Sequence, residues 1–239
     1  MNDPVLFSVE NHVAVITLNR PERRNAINQA LLAGLYESLE NVSRDKSIRV
    51  VVITGEGKSF CSGLDLAVLD KENLFDPRED GSDMPDLFAA CKKPIIGAIN
   101  GHAITGGFEL ALNCDFLIAS ELASFADTHA RVGIHPGWGM TQLLQEAVGR
   151  RRARQMSFTC RFINAQTALD WGLVNEVVPH ENLMGRAMEI AGDICEGSPE
   201  MLGVVRDLIS YRDTVSMADA LAHERARFAV FLRSHFPGS

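Results

Sequence analysis

The sequence predicts an α/β fold, and three observations carry the prediction. Three short apolar runs, Val50–Thr54, Pro94–Ile99 and Phe116–Ala119, have the length and composition of buried strands. Helix-period apolar patterns separate such runs, most clearly at Leu31, Leu32, Leu35 and Leu39. No strand-like run follows Glu181, where helical patterns occupy Leu183–Cys195, Pro199–Tyr211 and Met217–Leu232. By general rules, alternating strand and helix suggests a doubly wound parallel sheet. A shift in organisation at Glu196-Gly197-Ser198-Pro199 divides the chain into an α/β core, residues 1–196, and a helical C-terminal region, residues 197–239.

In chain order, Leu6–Glu10 and Val13–Leu18 flank Asn11-His12 and read as a β-hairpin. Asn19–Asn25 is a basic loop that leads into the Leu31 helix. The Val50 strand runs into a glycine-containing turn, Gly57–Leu66, which alone reads as a βα loop with Ser62 or Asp65 as helix cap. From Asp70 to Asp86 the chain loses periodicity, and seven acidic residues face only Lys71 and Arg78. This segment is expected to be a solvated loop, or else a mobile lid over a ligand.

The Pro94 run ends at Asn100-Gly101, and after a short turn Gly106-Gly107 opens an apolar helix pattern, Phe108–Leu112. Adjacent glycines let a ligand approach bare backbone, and the first N–H groups of a helix lack internal partners. They can therefore point at negative charge developing on an oxygen. Glu109 sits among apolar neighbours, either as a carboxylate favoured at a helix start or as an acid/base. Ala123–His129 follows the Phe116 strand, and Pro136-Gly137-Trp138-Gly139 breaks the chain before an amphipathic helix with Leu143, Leu144 and Val148. Arg150, Arg151, Arg152, Arg154 and Arg161 read as a charged helix face suited to subunit packing. Asn164–Gly172 reads as a short helix ended by glycine, and Leu173–Val178 as a strand ended by Pro179.

The chain of 239 residues is long enough for a sizeable core, and its 46% hydrophobic and 23% charged residues are ordinary globular values. A net charge of −8 argues against a nucleic-acid surface and does not suggest binding to an anionic membrane. Five scattered cysteines without a CxxC pair fit reduced thiols in a cytoplasmic protein better than disulfides or a zinc site. Met1-Asn2-Asp3-Pro4 shows no basic run, and no apolar span of about eighteen residues occurs, so neither a secretory leader nor a membrane span is expected. It also lacks a P-loop, a dinucleotide fingerprint and a metal cluster, so no cofactor is expected.

The two glycine turns together are more specific than either alone. The pattern Phe60-x-x-Gly63-x-Asp65, followed by Asn100-Gly101 and Gly106-Gly107-x-Glu109-Leu110, resembles the crotonase (enoyl-CoA hydratase/isomerase) superfamily. The likeness extends from Leu18-Asn19-Arg20-Pro21 to Gly172-Leu173-Val174. It implies a spiral of ββα turns with two roughly perpendicular sheets in place of a doubly wound sheet. It also implies an acyl-CoA substrate and a C-terminal helical region that builds trimers, which commonly pair as hexamers.

Carried over by position, the resemblance makes the N–H groups of Leu64 and Gly106 donors to a thioester oxygen. Glu109 matches the first acid/base glutamate of the hydratases, while their second glutamate falls at His129, the departure that matters most. Asp127 shares a face with His129 if the backbone is extended, and can orient or charge it, or the two can merely satisfy each other beside the pocket. Coenzyme A is expected along Arg24, Ala26, Cys61, Ser62 and Leu64, mostly through backbone groups, with Arg23 and Arg24 as phosphate partners. Asp65 is expected to stabilise its turn, and Ala67 stands where many hydratases carry a lysine. The implied reaction is hydration of a trans-2-enoyl-CoA. Loss of the second glutamate leaves Δ3-Δ2 enoyl-CoA isomerisation and non-catalytic acyl-CoA binding as alternatives.

Overall fold

The computed structural model describes residues 3–236. The chain divides into two compact units, Met1–Glu196 and Gly197–Ser239.

The first unit opens with an antiparallel hairpin of β1 (Val5–Glu10) and β2 (Val13–Leu18), turned by Asn11 and His12, both at positive φ. Helix α1 (Gln29–Arg44) starts where the Asn28 side chain accepts the Leu31 N–H, and it buries Leu31, Leu32, Leu35, Tyr36 and Leu39. There follow β3 (Val50–Gly55), β4 (Ser59–Cys61), α2 (Met84–Ala90), β5 (Ile95–Ile99), β6 (His102–Ile104) and α3 (Gly106–Leu112). The next turn comprises β7 (Phe116–Ser120), β8 (Ser124–Ala126) and α4 (His129–Val132). The unit closes with α5 (Met140–Val148), α6 (Arg150–Thr159), β9 (Ile163–Asn164), α7 (Ala165–Trp171), β10 (Glu176–Val178) and α8 (Leu183–Glu196).

One sheet has the order β1-β2-β3-β5-β7-β10 and is parallel except for β1; the other has the order β4-β6-β8-β9. The chain therefore leaves the first sheet, lays a three-residue strand in the second, forms a helix and returns, in β3-β4-α2 and β5-β6-α3; the third turn, β7-β8-α4, returns to β10 only after α5, α6, a second visit to the second sheet at β9, and α7. This spiral corrects the doubly wound sheet. Strands of three residues are too short to show a period, so Ser59–Cys61 and His102–Ile104 fall in stretches that read as turns, and Ser124–Ala126 carries no strand signal of its own.

Successive turns of the spiral are pinned by Asn100, which is buried at the β5 end. Its Oδ1 accepts the Gly55 N–H, and its Nδ2 donates to the carbonyls of Gly57 and Ser59. Gly101 is needed beside it, because a Cβ there would fall 2.1 Å from the Lys58 carbonyl oxygen. Strand β3 is buried on both faces, with Val51 and Ile53 in the main core and Val50 and Val52 against Leu183, Ala187 and Ala191 of α8. Each such aliphatic side chain contributes about 1.5–3 kcal/mol of burial.

The acidic segment departs from the solvated loop expected of it. Leu74 and Met84 are buried, Glu72 accepts the Gln29 N–H at 2.7 Å, and Arg78 lies 5.5 Å from the Tyr36 ring centroid. Arg78 also pairs with Glu40 and Asp80, each at 2.8 Å. Arg78 thus ties the segment to α1 through Glu40 and the Tyr36 ring, and Glu72 adds a second tie through the Gln29 N–H.

In the second unit, α9 (Pro199–Tyr211) and α10 (Met217–His235) are each capped by a serine, Ser198 and Ser216. Tyr211 stacks on His223 at 4.1 Å, and an apolar groove of about 700 Å³ is lined by residues including Met201, Val204, Leu208 and Phe231. Among the described residues no helix is long and apolar enough to cross a membrane.

Candidate active site

Glu109, His129 and Asp127 converge in one buried cluster, exposed by 2%, 6% and 2%. Glu109 projects from α3, and its Oε1 accepts the backbone N–H groups of Trp138 at 2.8 Å and Met140 at 3.2 Å. Those two bonds fix the carboxylate and leave Oε2 facing His129, whose Nε2 lies 3.5 Å away. The other ring nitrogen, Nδ1, bonds Asp127 Oδ1 at 2.7 Å. His129 is therefore held between two carboxylates.

The Asp127–His129 contact does not arise from strand alternation. Thr128 has ψ 13°, and His129 opens the single-turn helix α4. Asp127 Oδ1 accepts both the His129 ring N–H and the His129 backbone N–H, the latter at 3.2 Å. An aspartate bonding the backbone two residues on is a turn that the side chain itself builds.

Burial by itself would lower the imidazole pKa. Hydrogen bonds to Asp127 and Glu109, with the attraction of both charges, outweigh it and push His129 up to about 9. Burial would likewise raise the Asp127 carboxyl, but bonds from His129 and Ser157 hold it below the usual aspartate range. Both shifts favour an imidazolium ring at neutral pH, a proton donor aimed at Glu109.

The two glycine turns abut beside this cluster. A Cβ on Gly63 would fall 3.3 Å from the Gly106 nitrogen, and one on Gly107 only 2.2 Å from the Cys61 carbonyl oxygen. Among the described residues, neither the Leu64 N–H nor the Gly106 N–H has a hydrogen-bond acceptor. The Trp138 ring covers Gly106, where a Cβ would lie 3.2 Å from the indole. Thr105, immediately before Gly106, has φ 53° and ψ −117°. For a β-branched residue this region costs about 1–3 kcal/mol and requires a compensating partner. Its hydroxyl bonds the Thr128 hydroxyl and accepts the Thr128 N–H.

The loop expected to meet coenzyme A is tied to the first glycine turn. Ser62 N–H donates to Arg24, Ile27 N–H to Gly63 and Asp65 N–H to Ile27. Arg23 and Arg24 are exposed, while Ala26 is half-buried and its carbonyl accepts from Arg20. Asp65 pairs with Arg20 at 3.1 Å and accepts the Ala67 N–H, which is a turn-holding role. Cys61 is fully buried, its thiol donates to the Asn25 carbonyl, and burial pushes its pKa up to about 12. Its side chain is thus closed to a ligand. Sequence reasoning missed Trp138, Met140, Thr105 and Thr128. The glycines flanking Trp138 were the available signal for the first two, since they free the backbone to turn its N–H groups toward Glu109.

Among the described residues no group of three or more His, Cys, Asp or Glu side chains is placed to hold a metal ion. Comparison with known proteins agrees with the fold. The family model described as enoyl-CoA hydratase/isomerase matches residues 8–235. A relative from Arabidopsis thaliana, named probable enoyl-CoA hydratase 1, peroxisomal, is 40% identical over 90% of this chain and 81% of its own length. The short-chain-enoyl-CoA hydratase of Clostridium acetobutylicum is 36% identical over 94% of this chain and 87% of its own. A solved enoyl-CoA hydratase structure from Mycobacterium paratuberculosis superimposes with a TM-score of 0.79 at 40% identity, covering 97% of this chain and 98% of that one. Matched from Ser8 to His235, and sharing its fold with solved hydratases, the chain belongs to the enoyl-CoA hydratase/isomerase family of crotonase-like proteins.

Proposed function

We propose that this protein is an enoyl-CoA hydratase that adds water to a trans-2-enoyl-CoA with a glutamate–histidine pair. The observation that carries the reading is the 3.5 Å approach of His129 Nε2 to Glu109 Oε2, with Asp127 on the opposite ring nitrogen. The hydratase names of relatives that align over most of the chain support the same reaction.

In this mechanism the thioester oxygen accepts from the Leu64 and Gly106 N–H groups, and charge grows on it as the β-carbon is attacked. Losing one donor of this kind costs about 2.7–4 kcal/mol in other enzymes, so two supply much of the barrier reduction. Glu109 Oε2 takes a proton from water as the hydroxyl forms its bond to the β-carbon. The enolate collapses as His129 Nε2 gives its proton to the α-carbon. Glu109 then carries the proton taken from water and His129 is neutral, so transfer of that proton from Glu109 Oε2 to His129 Nε2 across 3.5 Å restores the starting state. The imidazolium stands in for a protonated glutamate, with Asp127 keeping it charged and in place.

Arg23 and Arg24, exposed beside the first turn, are proposed to meet the phosphates of coenzyme A. Exposed Phe228 and Val230 on α10, near the apolar groove, support a homotrimer or hexamer built by the C-terminal helices. Five free cysteines, four of them buried, support a reducing compartment such as the cytoplasm. The test is product identification: with crotonyl-CoA the protein should give 3-hydroxybutyryl-CoA. Conversion of a 3-enoyl-CoA to its 2-enoyl isomer without hydration would point to an isomerase, and binding without turnover to an acyl-CoA-binding protein.

A further inference from the structure

Two threonines link the halves of this site. Thr105 precedes Gly106, the proposed donor to the thioester oxygen, and Thr128 precedes His129, the proposed proton donor. Both are buried, their hydroxyls bond each other, and Thr105 Oγ1 also accepts the Thr128 N–H at 3.3 Å. The backbone of Thr105 is fully used as well. Its N–H donates to Ala126, and its carbonyl accepts the N–H groups of Phe108 and Glu109, each bond at 2.9 Å. Thr105 therefore contacts the strand before Asp127, the helix that carries Glu109 and the residue next to His129. Its left-handed φ sets the direction of the following peptide, and hence of the Gly106 N–H.

We propose that the Thr105–Thr128 hydroxyl pair is a positioning device that locks the Gly106 N–H and the His129 ring into one register. The proposal rests on the hydratase reading for the roles of those two groups. In hydration the oxygen gains charge while the α-carbon gains its proton, so the oxygen donor and the acid must be correctly placed at the same moment. Small displacements between such groups are costly. The pair spans them directly, with the strain at Thr105 held by Thr128.

The test uses Thr105→Val and Thr128→Val, which remove a hydroxyl at nearly constant volume, the double variant, and Thr105→Ser, which keeps the hydroxyl. With crotonyl-CoA, each valine variant should lower kcat by about 10-fold or more while KM changes by less than about threefold. The double variant should be no worse than Thr105→Val, which already removes the hydroxyl pair together with the acceptor of the Thr128 N–H. Thr105→Ser should retain near wild-type kcat. A second readout does not depend on turnover. In a Glu109→Gln background, a bound dienoyl-CoA should show a red-shifted absorbance that reports hydrogen bonding to its thioester oxygen. Each valine substitution should reduce that shift, and serine should preserve it. Unchanged kcat and red shift in Thr128→Val, whose φ of −107° carries no left-handed strain, would overturn the proposal. So would equal loss in Thr105→Ser and Thr105→Val, or additive losses in the double variant. A wild-type protein without hydratase activity would count against the reaction assigned above, while the red-shift series would still decide the positioning role.

Discussion

Replacing Asp127 by Asn isolates what holds the charge on His129. The substitution keeps the size of the side chain and removes the negative charge 2.7 Å from Nδ1, leaving Glu109 as the other carboxylate in contact with the ring. The rise of the imidazole pKa from its ordinary 6.5 to about 9 corresponds to about 3 kcal/mol of preference for the charged ring, since one pH unit is worth 1.36 kcal/mol. Asp127 and Glu109 together supply that preference and also offset the burial penalty, so the Asn variant should lose at least about half of it, and the His129 pKa should fall by about one unit or more. If the proton for the α-carbon comes from His129, kcat/KM follows the protonated fraction of the free enzyme. The assay is loss of enoyl-thioester absorbance from crotonyl-CoA across pH 6–10. Wild type should hold its rate to about pH 9 and then decline, and Asp127→Asn should decline about one pH unit or more earlier. At pH 7 most of the ring remains protonated in both proteins, so the gap between them should widen with pH. An alkaline limb at the same pH in both would refute the argument that Asp127 keeps the acid charged.

Further outcomes follow from the same contacts. The folded protein raises the His129 pKa, so its contribution to stability is fully present below pH 6.5 and lost as pH rises through about 9. Thermal melts should therefore lose about 5–10 °C between pH 7 and pH 10, and the part due to His129 should be missing from His129→Gln. Gly107→Ala would press a Cβ to 2.2 Å from the Cys61 carbonyl oxygen, backbone that cannot swing aside. That variant should lose about 3 kcal/mol or more in denaturant unfolding. Arg78→Met removes the cation paired with Glu40 and Asp80 while keeping an apolar stem. It should cost about 1–3 kcal/mol and speed proteolysis within residues 70–83, and an unchanged cleavage pattern would contradict the anchoring of that segment.

Much of this molecule was legible in its residues where a single physical requirement dominates. The Asn11-His12 turn between alternating runs, the glycine stop at Gly172 and the serine-led helices after Glu196 form as their local chemistry dictates. The second sheet was not legible from periodicity, because its strands are two or three residues long and their pairing is entirely tertiary. The acidic segment read as solvated because charge count ignores geometry. Arg78 reaches Glu40, 38 positions earlier in the chain, and no local pattern encodes that contact.

At the site, the glycine turns and Glu109 were visible as motifs, and the structure sets their turns side by side. Asp127 and His129 were named as neighbours through strand alternation, yet they meet through a side-chain turn at the start of α4. The bonds from Trp138 and Met140 to Glu109 come from a segment that read only as a chain break, since backbone donors leave no trace in residue type. The Thr105–Thr128 pair was invisible for a related reason: two ordinary threonines 23 positions apart become a unit only when the spiral stacks their turns.

The most direct measurement is the loss of enoyl-thioester absorbance when crotonyl-CoA is mixed with the wild-type protein, beside Glu109→Gln and His129→Ala. Wild type should hydrate crotonyl-CoA rapidly, and each variant should fall by about 10²–10⁴-fold with acyl-CoA binding retained. Full activity in His129→Ala, or no hydration by a wild-type protein that binds the thioester tightly, would contradict hydration by the glutamate–histidine pair.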